Sequence, residues 1–159
     1  MVILEEDLTR FQSVLDGLRR DANAAFALLL DKTGQRIASS GALDGVDPTA
    51  LASLTAGNVA ATEGLAGLVG ENGFSSLHHE GSEQNLHINL VAEKVILLIV
   101  YDEHSSLGLV RLRVQQCSVE LAAAVKQVLA RTSGDKAKAG TRGLPVNEIS
   151  DEDIDALFG

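Results

Sequence analysis

The sequence is poor in aromatic residues and in cysteine. Only 3% of the 159 residues are aromatic, with no tryptophan and one tyrosine. Such a chain has little material for stacking nucleobases or for lining a large aromatic ligand pocket. The single cysteine, Cys117, excludes an internal disulfide and suits a reducing cytosol.

Long apolar runs and net positive charge are also missing. Apolar stretches such as residues 95–100 have the length of a strand and are too short to span a bilayer. The first turns carry Glu5, Glu6 and Asp7, where a signal peptide would carry positive charge. A net charge of −9 disfavours nucleic acid and anionic lipid as partners. We therefore expect a cytoplasmic protein that neither binds nucleic acid nor inserts into a membrane.

Apolar periodicity predicts an α+β fold in the order α-β-β-α-β-β-β-α. A stripe at spacings of three and four marks the first helix, and strands with a period of two follow short turns. The short links make the five strands an antiparallel sheet, sandwiched by helices. The predicted helices span about 4–18, 48–69 and 106–134, and the predicted strands span 25–30, 35–40, 74–80, 85–91 and 95–101.

The C-terminal part predicts a different organisation. Residues 1–134 form the domain, residues 135–147 have the composition of a flexible linker, and residues 148–159 predict a short acidic amphipathic helix. Ser150 and Asp153 make a capping-box pattern. One face of this helix carries Ile154, Leu157 and Phe158. Two interpretations stay open: the helix docks into a groove of a partner, or it docks back onto its own domain.

The central helix carries two unlike stripes. The first, here called the leucine row, comprises Leu51, Leu54, Ala61, Leu65 and Leu68, with Asn58 in its middle. The second, here called the small-residue stripe, comprises Ser53, Gly57, Ala60, Gly64 and Gly67. Three glycines inside a helix cost about 3 kcal/mol relative to alanine, so a close contact should offset that cost. Both a partner surface and tight packing on the chain's own sheet would provide one.

Residues that often carry chemistry do not assemble into an active site. The four histidines, His78, His79, His87 and His104, are expected to be exposed to solvent and not to bind metal. The glycine-rich run at 64–70 lies at the C-terminal end of a helix, which is the wrong end for phosphate. Arg111 and Arg113 are consistent with an arginine finger or with a solvated helix face. We predict no catalytic residues, no metal and no cofactor, and hence a regulatory domain that binds another protein.

Three segments carry a family resemblance. These are SLTAGNVAATEGLAGLVGENGF at 53–74, SLGLVRLRV at 106–114 and EISDEDIDALF at 148–158. With the order of elements, they make the chain similar to the Roadblock (dynein light chain) domain family, and within it to bacterial regulators of cell polarity. The resemblance covers nearly all of 1–132 and resumes at 148–158.

The resemblance implies a function and a partner. It implies a homodimer in which the central helix and the following strand pair across a two-fold axis, so that two sheets form one of ten strands. It also implies a Ras-like small GTPase as partner, held at its switch regions by the dimer. The protein would stimulate GTP hydrolysis without an arginine finger, in bacterial polarity and gliding motility.

The resemblance also directs the choice of partner-binding residues. Within the small-residue stripe, Ala60 and Gly64 are expected to contact the GTPase, while Thr9 is a weaker candidate and the residues Ile154, Leu157 and Phe158 supply a second contact. The alternative function is a passive scaffold that recruits a GTPase or motor complex without changing GTP turnover. A small-molecule sensor is disfavoured by the lack of aromatic and charged pocket residues.

Overall fold

The computed structural model describes residues 2–142, which contain three helices and one five-stranded sheet. Their order is the predicted one, and most boundaries agree within two residues with those expected from periodicity. The elements are α1 Glu5–Asp21, β1 Phe26–Asp31, β2 Arg36–Gly41, α2 Pro48–Leu68, β3 Ser76–Glu80, β4 Asn85–Val91, β5 Val95–Tyr101 and α3 Leu107–Arg142.

All strand pairs are antiparallel, and the sheet order is β2-β1-β5-β4-β3. Strand β5 lies in the centre, and every one of its residues is buried. This explains its unbroken apolar sequence, because a central strand covered on both faces gains from apolar side chains on both sides. Strands β2 and β3 form the two edges. The predicted α+β fold with a five-stranded antiparallel sheet is confirmed.

One face of the sheet packs under α2. The alternate residues of β1 and β5 that point to this face are apolar and buried, and they meet a row of small residues on the helix. The resulting cluster comprises Phe26, Leu28, Leu30, Ala52, Ala56, Val59, Ile88, Ile96, Leu98 and Val100.

The opposite face of the sheet packs against α1 and the first part of α3. Ser40 of β2 pairs with Ala27, which alternates away from the α2 cluster. The Ser40 hydroxyl donates to Asp16 Oδ1 at 2.5 Å and accepts from Arg19 Nε at 2.8 Å, which fixes α1 on this face. The sheet therefore lies between helices on both sides, as predicted.

Asp47 and Pro48 begin α2, and Gly70 ends it. Asp47 Oδ1 accepts a hydrogen bond from the Thr49 backbone N–H at 3.0 Å, and Pro48 occupies the first turn. Gly70, with φ of +81°, follows the helix and takes the left-handed conformation that ends it. These residues fix both ends of α2 and therefore its length over the sheet.

Helix α3 extends farther than expected. Its end was predicted near 134, with a linker over 135–147, but the helix continues to Arg142. A single glycine, Gly134, weakens a helix by about 1 kcal/mol, and the Lys and Ala residues that follow are good helix formers. The predicted C-terminal helix at 148–159, with Ile154, Leu157 and Phe158, lies outside the described residues.

Residues Ile3–Lys126 form one compact unit that contains the whole sheet. The division of the chain into domain, linker and terminal helix stays a prediction. Among helices within residues 2–142, none combines the length and apolar character needed to cross a bilayer.

Candidate functional site

Helix α2 rests on the sheet through a row of residues that belongs to neither predicted stripe. Its buried residues are Ala52, Thr55, Ala56, Val59 and Ala66. Mostly small side chains on this row bring the helix axis close to the sheet. Both stripes singled out in the sequence are thereby turned away from the sheet, apart from the half-buried Leu51 and Asn58.

The leucine row is largely exposed. Leu54, Leu65 and Leu68 are 74%, 59% and 84% exposed. The row lies on the side of α2 nearest the edge strand β3, because Asn58 Nδ2 is 3.3 Å from His79 Nε2. Large exposed aliphatic side chains in a line along one helix are typical of a surface that another protein covers.

The small-residue stripe is also exposed, on the other flank of α2. A Cβ atom added to Gly57, Gly64 or Gly67 would meet nothing within 4 Å. Packing on the chain's own sheet, one of the two explanations left open by the sequence, therefore does not account for these glycines. The stripe lies towards the β1–β2 turn, where Lys32 Nζ and Glu63 Oε1 form an ion pair at 2.8 Å.

The exposed surface of α2 is almost without charge. Glu63 is the single charged residue in the helix, and its partner Lys32 lies on the neighbouring turn. A solvated helix normally carries charged residues on its outer face. An uncharged outer face, with leucines on one flank and small residues on the other, is suited to bind a protein surface.

The apolar surface continues beyond the helix. Val69 and Phe74 are exposed on the connection to β3. Strand β3 pairs with β4 on one side and is an edge of the sheet on the other. An edge strand beside an apolar helix face offers both backbone groups and side chains to a second chain.

Thr9 lies apart from the α2 surface. It is on the exposed side of α1, where its hydroxyl donates to the Glu5 carbonyl oxygen at 3.0 Å. Since α1 and α2 pack on opposite faces of the sheet, the structure does not bring Thr9 together with the small-residue stripe.

The expectation that the strand histidines are solvent-exposed is wrong for His87, which is buried, while His78 is half-buried. His87 is 2% exposed, and His78 Nε2 lies 2.7 Å from the Tyr101 hydroxyl. The two histidines are paired across β3 and β4, with ring centroids 6.5 Å apart. The strand pattern alone did not show that α3 lies over the face of the sheet that carries His87. Within the described part of the chain, no three His, Cys, Asp or Glu residues cluster as metal ligands would.

The sequence analysis missed one indicator of the outer face of α2, which is the scarcity of charged residues along the helix. Over the twenty-one residues of the helix Glu63 is the one charged residue, and this scarcity of charge marks the exposed face in the amino-acid sequence itself. No comparable sequence pattern indicates the polar residues that surround His87, because those residues are far apart in sequence.

Comparison with known proteins matches residues 10–101 to the Roadblock/LC7 domain. Among solved structures, MglB of Myxococcus xanthus is 46% identical with a TM-score of 0.75, and the match covers 80% of this chain and 96% of that one. The gliding protein MglB of Thermus thermophilus is 34% identical, with a TM-score of 0.73 and the same two coverages. An MglB with a tetrameric arrangement is 33% identical, with a TM-score of 0.72. None of the curated proteins compared with the chain matches it.

Proposed function

The chain belongs to the Roadblock/LC7 family, and we propose that it is an MglB-like GTPase-activating protein for a Ras-like small GTPase of the MglA type. It is a regulator with no catalytic residues of its own, and it acts in the cytoplasm in bacterial cell polarity and gliding motility. The names of the similar structures support this assignment, since all three are MglB proteins, at 46%, 34% and 33% identity.

The observation that carries the proposal is the uncharged outer face of α2. Its two flanks suit two different contacts. The leucine row adjoins the edge strand β3, in line with the Asn58–His79 contact. The small-residue stripe faces the other way, with open space above its glycines. One helix therefore offers a surface for a second copy and a surface for the GTPase.

We assign the leucine row and β3 to the homodimer. Pairing of β3 with the β3 strand of a second copy would give hydrogen-bond partners to the unpaired backbone groups of this edge strand, and it would give a ten-stranded sheet. Exposed leucines such as Leu54 and Leu68 would then lie against the second copy's α2. Burial of this apolar area is the main contribution to dimer stability.

We assign the small-residue stripe to the GTPase. Residues without long side chains let a switch loop lie close to the helix backbone, and the contacts hold the loop in its hydrolysis-competent arrangement. Ala60 and Gly64 lie in the middle of this contact. The GTPase supplies its own catalytic groups, so no arginine finger is required from Arg111 or Arg113.

Other predicted contacts belong to the same proposal. Thr9 on α1 would meet the GTPase only at the periphery, since α1 is on the opposite face of the sheet from α2. Ile154, Leu157 and Phe158 would form a second, separate contact through the C-terminal segment.

The test is single-turnover GTP hydrolysis by the cognate MglA-like GTPase, measured with and without this protein. We expect a large acceleration by the native protein and its loss in Gly64→Arg, because an arginine side chain would occupy the space that the switch loop needs. Gly108→Arg is the matched control, since Gly108 is also a helical glycine whose Cβ would meet nothing within 4 Å. This control should accelerate hydrolysis as the native protein does.

Circular dichroism and direct binding complete the design. Gly64→Arg should keep the native spectrum but lose binding, and a collapsed spectrum would remove the claim that Gly64 lies on a contact surface. Tight binding with no acceleration would establish the alternative function, a passive scaffold subunit that recruits a GTPase or motor complex.

A further inference from the structure

A polar cavity lies on the face of the sheet opposite α2, between β4, the start of β3 and the first turns of α3. Its volume is about 290 Å³. Arg111, Gln115 and Ser118 line it from α3, and His87 and Asn89 line it from β4. Ser75 and Ser76 complete the polar lining, and Val114 is its apolar member. A cavity of this size accommodates several water molecules, each of which takes about 30 Å³ in the liquid.

The buried polar group in this cavity is His87. The residue is 2% exposed, and its Nδ1 atom is buried without a hydrogen-bond partner among the described residues. A buried polar atom left unpaired keeps the full penalty of its desolvation, so a group bound in the cavity that hydrogen-bonds to it would remove that penalty. Burial lowers the pKa of His87 to about 4, with smaller contributions from Arg111 and His78. The imidazole is therefore neutral at physiological pH and can carry its proton on Nδ1.

The charge of the lining selects the class of ligand. Arg111 supplies a guanidinium, and it makes no ion pair within the described part of the chain. No Asp or Glu lines the cavity, although the chain as a whole has a net charge of −9. A guanidinium without a carboxylate repels metal cations and attracts anions.

The remaining polar groups of the lining are hydrogen-bond donors as well. Serine hydroxyls and the amide groups of Asn89 and Gln115 can each donate to an oxygen atom. A guanidinium with several neutral donors around it matches a tetrahedral oxyanion better than it matches an apolar ligand. We propose that this cavity is a binding site for a small phosphate-type oxyanion, held by Arg111 and the serine hydroxyls and bonded by His87.

The site is independent of the GTPase contact. It lies across the sheet from α2, and none of its lining residues belongs to the small-residue stripe or the leucine row. A failure to bind phosphate can therefore be distinguished from a failure to activate the GTPase.

The test is a titration of the full-length protein with inorganic phosphate. The titration is monitored through the NMR signals of the His87 ring and the Arg111 backbone amide. A few charge-assisted hydrogen bonds predict saturable binding with a Kd of about 1 mM. The pKa of His87 should rise when the site is occupied, because the anion stabilises the imidazolium. Sodium chloride at equal ionic strength should produce neither effect.

Variants identify the residues that bind. Arg111→Gln should weaken phosphate binding by about tenfold or more, and Arg111→Lys should retain part of it. Arg20→Gln removes the same charge from a side chain that is 75% exposed on α1, and it should change the Kd by less than about twofold. Because Arg111 is itself exposed, its replacement should leave the fold intact.

A second ligand distinguishes two sources of the oxyanion. Binding of glycerol 3-phosphate as tightly as inorganic phosphate would assign the site to phosphate monoesters, and binding of inorganic phosphate alone would assign it to the free ion. Binding that is unchanged in Arg111→Gln, or equal for phosphate and chloride, would show an adventitious ion only and would overturn the proposal. So would the absence of saturable binding.

Discussion

The single thiol of the chain is protected by its position on α3. Cys117 is half-buried, and its Sγ atom donates to the Val114 carbonyl oxygen at 3.5 Å. Burial is the main cause that raises the pKa of this thiol to about 11, and nearby Glu120 acts in the same direction. Since the thiolate is the reactive form, the folded protein should resist modification.

We predict that Cys117 reacts slowly with a disulfide reagent at pH 8. A rise in the pKa of two units lowers the thiolate fraction by about 100-fold, so the native protein should react at least tenfold more slowly than the chain in urea. The reaction rate is measured as the release of thionitrobenzoate from the disulfide reagent over time. Equal rates in the two states would show that Cys117 is accessible and ionised like a free thiol.

At the scale of a single element, α2 carries glycines that the folded chain does not need. Gly64 has helical neighbours and open space where a Cβ would be. We predict that Gly64→Ala raises the free energy of unfolding by about 1 kcal/mol, because alanine is the better helix former. Urea unfolding followed by circular dichroism measures this change. Destabilisation instead would mean that a second chain already fills the space above Gly64.

Gly41 provides the opposite control. Its φ is +86°, and an added Cβ would meet the Ala25 carbonyl oxygen and the side chain of Arg19. Gly41→Ala should therefore lower the free energy of unfolding by about 2 kcal/mol or more in the same assay. The contrast separates glycines that the fold requires from glycines that leave room for a partner.

At the scale of the whole molecule, the proposed dimer depends on the leucine row. We predict that the native protein sediments as a dimer and that Leu68→Glu weakens its association by roughly 100-fold or more, because a carboxylate would be buried without a partner. Analytical ultracentrifugation over a range of concentrations measures the effect.

Val119→Glu is the matched control for this variant. Val119 is 78% exposed on α3, comparable to Leu68 at 84%, but it lies on a different surface. It should remain dimeric with a native circular dichroism spectrum. If both variants sediment alike, the leucine row is not the dimer contact.

Local patterns determined most of the architecture. Periods of two and of about 3.6 predicted every element within the described residues and the fold class, because these signals act over a few residues. The family predicted from the segment at 53–74 and the order of elements is confirmed as well. The prediction failed at the end of α3, where one glycine is too weak a signal to stop a helix.

Only the tertiary structure decided which faces are covered. The sequence showed two stripes on α2, but not that a third row, including Ala52 and Val59, rests on the sheet and leaves both stripes exposed. It also placed His87 at the surface, whereas the packing of α3 over β4 buries it beside Arg111. Burial depends on contacts between residues that are distant along the chain, and periodicity within one element carries no information about which other element lies across from it.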